Sequence, residues 1–263
     1  MKILFVGDVV GKVGRLALSE VLPSLKESEN IDFIIVNGEN VTHGKGLIEK
    51  HYTFLCDLGI DAITLGNHYN SKRQITDYIE KADRLIRPLN ILQDDFGGEG
   101  SRLFSCKNKT IRVTNLLLSA FMNEEVKNPF MTLNELIEND NSDIHILDLH
   151  GEATGEKQAI SYSFDGKITA ILGTHTHVQT NDERILPKGT AYITDVGFCG
   201  SSVSVLGFDK ESVINKTLFG SNDRFKLEEN GDYIFNAVIL EISDEDNKAT
   251  NIKKIRIDTY GKN

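Results

Sequence analysis

Short, wholly apolar runs alternate along the chain with longer segments in which apolar positions recur at helical spacing. Residues 3–6, 33–36, 62–65 and 111–118 are strand candidates, followed by 144–149, 168–172, 191–194, 233–242 and 252–257. The run Phe33-Ile34-Ile35-Val36 is apolar at every position, as expected of a strand covered on both faces. Residues 16–25, 47–58 and 75–86 carry the helical pattern, so the early order is βαβαβα, which implies a parallel sheet with helices on its faces. From about residue 191 strands outnumber helices, which predicts a second, largely antiparallel sheet or its edge. Residues 90–99 and 119–129 read as loops, and Asp165-Gly166 carries a hairpin-turn signal. With no repeat and no linker, the pattern predicts an α/β fold, a two-sheet β-sandwich flanked by helices, as one domain over residues 1–263.

Metal-competent side chains fall where these strands end. The first runs into Gly7-Asp8, the second into Asn37-Gly38-Glu39-Asn40, and the third into Gly66-Asn67-His68. Later strands end at His150-Gly151 and at Gly173-Thr174-His175-Thr176-His177. In an open α/β sheet the carboxyl ends of strands share one edge, where ligands bind. One Asp after a strand is ordinarily a helix cap, but His is a poor cap, and five such ends together predict one site. Carboxylates, imidazoles and amide oxygens are mixed N/O donors that suit iron or manganese first and allow zinc. A pair of ions needs a bridging ligand, and Glu39, on an early strand beside that of Asp8, is the carboxylate chosen for it.

Charge narrows the partners. A formal net charge of −10 argues against binding long nucleic acid, whereas bound cations can reverse the field locally for a small anion. Three scattered cysteines, Cys56, Cys106 and Cys199, without C-x-x-C pairing, fit a reducing compartment. No apolar stretch reaches the roughly 18 residues of a membrane span, so a cytoplasmic protein with no membrane partner is expected, with a homo-oligomer left open. The segment from Gly7 to Gly14 is no phosphate loop, because its glycine spacing is short by one and Val13 stands where Ser or Thr is required.

The motifs Gly7-Asp8-Val9-Val10-Gly11, Asn37-Gly38-Glu39-Asn40, Gly66-Asn67-His68, Asp148-Leu149-His150-Gly151-Glu152 and Gly173-Thr174-His175-Thr176-His177 resemble the calcineurin-like metallophosphoesterases. More narrowly the chain is similar to the YmdB-type bacterial phosphodiesterases, through His43-Gly44-Lys45-Gly46-Leu47 and residues 185–197 as well. Val10 stands where the broad superfamily has His, and Glu39-Asn40 replaces its Asp; the narrower family shares both changes. The resemblance implies a calcineurin-like fold and two divalent or trivalent metal ions. Asp8, Glu39, Asn40 and His177 would hold one, and Glu39, Asn67, His150 and His175 the other. It further implies hydrolysis of 2′,3′- or 3′,5′-cyclic mononucleotides by in-line attack of water activated between the ions, with His68 as general acid. The alternative is a metal-containing regulatory protein that binds or senses a cyclic nucleotide with little turnover.

Other candidates have blander readings. His43 and Lys45 follow Asn40 in a loop and are possible substrate contacts, or simply surface groups. Asp148 and Asp195 are candidates to orient ligand histidines, while His51, His145, Glu152 and Cys56 read as structural. An amidohydrolase barrel is disfavoured, because His-x-His arrives on a late strand after an early Asp.

Overall fold

The computed structural model describes residues 1–93 and 95–261, so Asp94 of the loop expected over 90–99 lies outside the described residues. The first part comprises β1 (Lys2–Val6), β2 (Asp8–Val9), α1 (Gly11–Glu29), β3 (Phe33–Asn37), α2 (Glu49–Asp57), β4 (Ala62–Thr64), α3 (Ile75–Tyr78) and β5 (Leu85–Ile86). The middle comprises β6 (Ser101–Cys106), β7 (Lys109–Leu117), α4 (Pro129–Glu138), β8 (Ile144–His150), α5 (Thr154–Ser163), β9 (Ala170–Thr174), β10 (Arg184–Ile185) and β11 (Ala191–Ile193). The chain ends with β12 (Phe198–Ser201), α6 (Lys210–Phe219), β13 (Tyr233–Ile242) and β14 (Ala249–Asp258).

Two mixed sheets result. One is eight-stranded, ordered β2-β12-β13-β1-β3-β4-β5 with β14 on β13; the other is six-stranded, ordered β10-β11-β9-β8-β7-β6. Strand alternation sorts the side chains into three apolar layers. Ile3 and Phe5 of β1 point between the sheets with Ile144 and Ile146 of β8. Leu4 and Val6 face the opposite way, onto Leu18 and Leu22 of α1. Leu147 and Leu149 of β8 pack outward with Leu133 of α4 and Ile160 of α5. Continuing the same alternation along β8 puts Asp148 and His150 on the between-sheet side, at the strand's carboxyl end. The site is therefore the rim of the sandwich, where its apolar filling gives way to polar residues.

The expected second sheet is corrected. Of the strands from residue 191 on, β11 joins it, but β12, β13 and β14 complete the first sheet, and the second is made of β6–β11. The reason is burial on both sides of β13, which pairs with β14 along one edge and with β1 and β12 along the other. The helix expected over 75–86 is one turn, α3, followed by a short 3-10 segment and then β5. Asp165-Gly166 joins α5 to β9 and makes no hairpin; the Asp165 carboxylate instead accepts from the Lys188 and Thr190 N–H groups.

Two glycines let the sheets close on the rim. A Cβ on Gly7 would meet the Gly197 carbonyl oxygen, and one on Gly173 the Thr194 carbonyl oxygen. Both obstacles are backbone, which cannot swing aside. Gly173→Ala is expected to lower unfolding stability by about 2–3 kcal/mol in urea titration. Gly155→Ala in α5, where an added methyl meets nothing within 4 Å, serves as the control and should be neutral or slightly stabilising.

Candidate metal centre

Strand ends from both sheets deliver the expected side chains to one pocket. Glu39, His150 and His175 each present a ligand atom, and these atoms all lie within 4.8 Å of one another. Nε2 of His150 is the meeting point: it stands 3.3 Å from Glu39 Oε1, 3.0 Å from Asn67 Oδ1 and 3.1 Å from His175 Nδ1. The Asp8 carboxylate joins through Oδ2, which accepts the His175 N–H at 3.2 Å. Glu39 Oε2 accepts the His68 N–H at 2.9 Å. Asn40, His68, His175 and His177 line one cavity of about 340 Å³ together with Glu39.

The outer ends of these side chains are tied to the scaffold. Thr174 donates its one hydroxyl hydrogen to Asp148 Oδ1 at 2.6 Å, so its oxygen accepts from His150 Nδ1–H at 2.9 Å. In the neutral ring that puts the hydrogen on Nδ1 and leaves Nε2 as the nitrogen able to meet a metal ion. His177 Nδ1–H donates to the Leu206 carbonyl at 3.1 Å, and the ring stacks on Phe198. The Asn67 amide donates to Glu124 and the Asn40 amide to the Gly44 carbonyl. Glu152 stands 3.5 Å from His175 Nε2, which turns Nδ1 toward the centre. The inward-facing atoms are consequently acceptors, and two of them, Asp8 Oδ1 and Asn40 Oδ1, are buried with no hydrogen-bond partner.

Acceptors crowded on acceptors need a cation between them, and a buried carbonyl or carboxylate oxygen without a donor is costly unless something positive meets it. The titration behaviour shows the same demand. Burial alone would depress the His150 imidazole, but Glu39, Asp8 and Asp148 outweigh it and carry it up to about 9. Burial, reinforced by Glu39 and Asp195 and opposed by His150, pushes the Asp8 carboxyl up. His175, dominated by burial with His150 adding, falls to about 3, which leaves its ring neutral and available as a ligand. Burial likewise lowers His68 and His177. The donor set therefore fits a metal site of mixed N/O character.

The His-x-His loop has an unusual backbone: φ is +102° at His175 and +63° at His177. A buried ion pair braces it. Lys157, fully buried on α5, donates to the Thr174 carbonyl at 2.8 Å and contacts Asp195 Oδ2 at 3.1 Å. That same oxygen accepts the Thr176 N–H at 2.9 Å, and Asp195 Oδ1 accepts the Gly197 N–H.

Of the sequence candidates, Asp8, Glu39, Asn40, Asn67, His68, His150, His175 and His177 come together here. His43 and Lys45 do not line this cavity; they belong to a neighbouring one beyond Phe208 and Phe225. Asp148 reaches His150 through the Thr174 hydroxyl, whereas Asp195 contacts the Thr176 backbone N–H and no histidine ring. Glu152, read as structural, lies against His175, whereas His145 is packed on Thr114 and Asp140 away from the centre. Thr174, Lys157 and Glu124 were missed. Thr174 and Lys157 act on segments distant in sequence, and only the even spacing of Asp148, His150 and Thr174 on facing strand ends hints at the first.

Comparison with known proteins agrees with the geometry. A 2′,3′-cyclic-nucleotide 2′-phosphodiesterase of Bacillus subtilis is 42% identical over 259 residues, covering 98% of this chain and 97% of that protein. The crystal structure of a phosphatase from Mycoplasma pneumoniae superposes with a TM-score of 0.92 at 42% identity, over 98% of this chain and 93% of that one. The calcineurin-like phosphoesterase YfkN of Bacillus subtilis shares the fold at a TM-score of 0.57 and 13% identity, over 100% of this chain and 91% of that one. The two mixed sheets flanked by helices are thus the metallophosphoesterase fold. Residues 4–255 match the model of the YmdB-like proteins, and the chain belongs to that family.

Proposed function

We propose that the chain is a metal-dependent phosphodiesterase that hydrolyses cyclic mononucleotides, 2′,3′-cyclic or 3′,5′-cyclic. The observation that carries this reading is the set of buried polar atoms converging on His150 Nε2, together with the buried, unpartnered Asp8 Oδ1 and Asn40 Oδ1. Asp8, Glu39, Asn40 and His177 would hold one ion and Glu39, Asn67, His150 and His175 a second, with Glu39 shared. Bound there, iron, manganese or zinc would stabilise negative charge on a phosphoryl group and acidify a water molecule. The cyclic nucleotide is favoured by the name of the Bacillus subtilis relative and by the apolar wall of Val10, Val205, Leu206 and Phe208 facing the polar residues, which suits a nucleoside.

His68 would give a proton to the departing ribose oxygen; its position on the same cavity and its backbone N–H bond to Glu39 support that role, which requires the bound substrate to favour the imidazolium that burial alone disfavours. Glu124 keeps the Asn67 oxygen directed at His150, which in turn sets the turn carrying His68. Lys157 and Asp195 keep the backbone of the His-x-His loop in its left-handed conformation.

Hydrolysis of adenosine 2′,3′-cyclic and 3′,5′-cyclic phosphate by metal-loaded protein, followed by chromatography, tests the reading directly; tight binding with no product would support the sensor alternative instead. His68→Ala is expected to keep its metal content and lose about 10²–10⁴-fold in kcat. Asp8→Ala should fall below the wild-type metal stoichiometry by elemental analysis, and an unchanged ratio removes Asp8 from the ligand set. Lys157→Met, which preserves bulk but not the ammonium, is expected to weaken metal affinity about 10–100-fold in chelator competition while the far-ultraviolet dichroism is retained.

A further inference from the structure

The apolar wall of the metal cavity is also a partition. Phe208 and Phe225 pack with ring centroids 5.6 Å apart, and both also line a second, adjoining cavity of about 600 Å³. That cavity is cationic: Lys45, Lys216 and Arg224 line it, with His43 beside them. Lys216 holds its ammonium 4.9 Å over the centroid of the Phe225 ring, on the partition itself. None of the three cations forms an ion pair with a carboxylate among the described residues. The carboxylate on the lining, Glu229, acts on Arg15.

Three cations without carboxylate partners, gathered beside the candidate active site of a chain with net charge −10, mark a place for an anion. The position says which anion. In a nucleoside cyclic phosphate the 2′ and 3′ oxygens lie on the opposite side of the ribose from the 5′ carbon. With the cyclic phosphate at Glu39, His150 and His175 and the nucleoside along the apolar wall, the 5′ oxygen leads away from the metal ligands, toward the partition.

We propose that this second cavity binds a second phosphate of the substrate, so that the substrate class is a nucleoside 2′,3′-cyclic phosphate that also bears phosphate on its 5′ oxygen. The 5′ phosphate belongs to a free nucleotide or to the 3′-terminal residue of a short RNA fragment. Long RNA is disfavoured by the overall charge, which repels a polyanion beyond the first residues. The proposal rests on the cyclic-nucleotide reading of the metal centre.

The test uses metal-loaded full-length protein and the double variant Lys216→Gln/Arg224→Gln. Calorimetry compares adenosine 3′-phosphate with adenosine 3′,5′-bisphosphate. The bisphosphate is expected to bind the wild type about five- to tenfold more tightly, with the gap closing in high salt. In the double variant the advantage should vanish while the affinity for adenosine 3′-phosphate is unchanged. Equal affinities in the wild type, or an advantage that survives both substitutions, overturn the proposal. Turnover then identifies the source of the phosphate, against adenosine 2′,3′-cyclic phosphate as reference. A higher kcat/KM only for its 5′-phosphorylated form assigns the free nucleotide, and a higher value for the dinucleotide ending in a cyclic phosphate assigns the RNA fragment. If adenosine 2′,3′-cyclic phosphate is hydrolysed and neither of the other two gains over it, the proposal is overturned. If none of the three compounds is hydrolysed while the bisphosphate keeps its advantage, the cyclic-nucleotide reading fails and the phosphate subsite stands.

Discussion

Like facing like at the rim of the sandwich is the constraint on which the site depends. Oxygen and nitrogen lone pairs of Glu39, Asn67, His150 and His175 point at one another across about 3 Å, because each side chain has its other end tied elsewhere. Such an arrangement is expensive in an empty protein interior and becomes favourable around positive charge. The upward displacement of His150 expresses this electrostatically: a proton on its ring supplies positive charge that Glu39, Asp8 and Asp148 draw to this place. Folding stability and the affinity for any cation bound here are therefore coupled, since the interactions that pre-organise these side chains are formed only in the native state.

The sandwich supplies the means. Its strands alternate inward and outward side chains, so the positions that fill the core with Ile and Val in mid-strand become Asn37, Asp148, His150 and Thr174 at the ends. Asn37 donates to Asp148 Oδ2 and Thr174 to Asp148 Oδ1, which links a strand of each sheet through one buried carboxylate. The glycines beside them permit the backbones to approach closely enough for these bonds to form. On the solvent side the shell is completed by loops, through Glu124, Glu152 and the Leu206 carbonyl.

Much of this was legible in the sequence because strand ends are local signals. An apolar run followed by Gly and a metal-competent residue announces both the strand and its carboxyl end, and this held at Asp8, Glu39, Asn67, His150 and the His-x-His loop. Partnerships between strands are not local. The run 233–242 looks the same whether it starts a new sheet or slots between β1 and β14, and only its pairing decides. Helices α4, α5 and α6 escaped notice because their apolar faces are short; α6 buries only Ser212. Lys157 was invisible for a different reason: a lysine on a helix reads as solvated, and its burial follows from an Asp195 that lies 38 residues away.

The placement of β1 bears on how the polypeptide comes to be assembled. Residues 2–6 are flanked by β3 on one side and, on the other, by residues 237–241, which lie far along the chain. β1 consequently keeps an open edge, which invites association, until the distant β13–β14 ribbon pairs with it. Because Asp8 follows that strand directly, the candidate site takes its finished form only once this long-range pairing has closed.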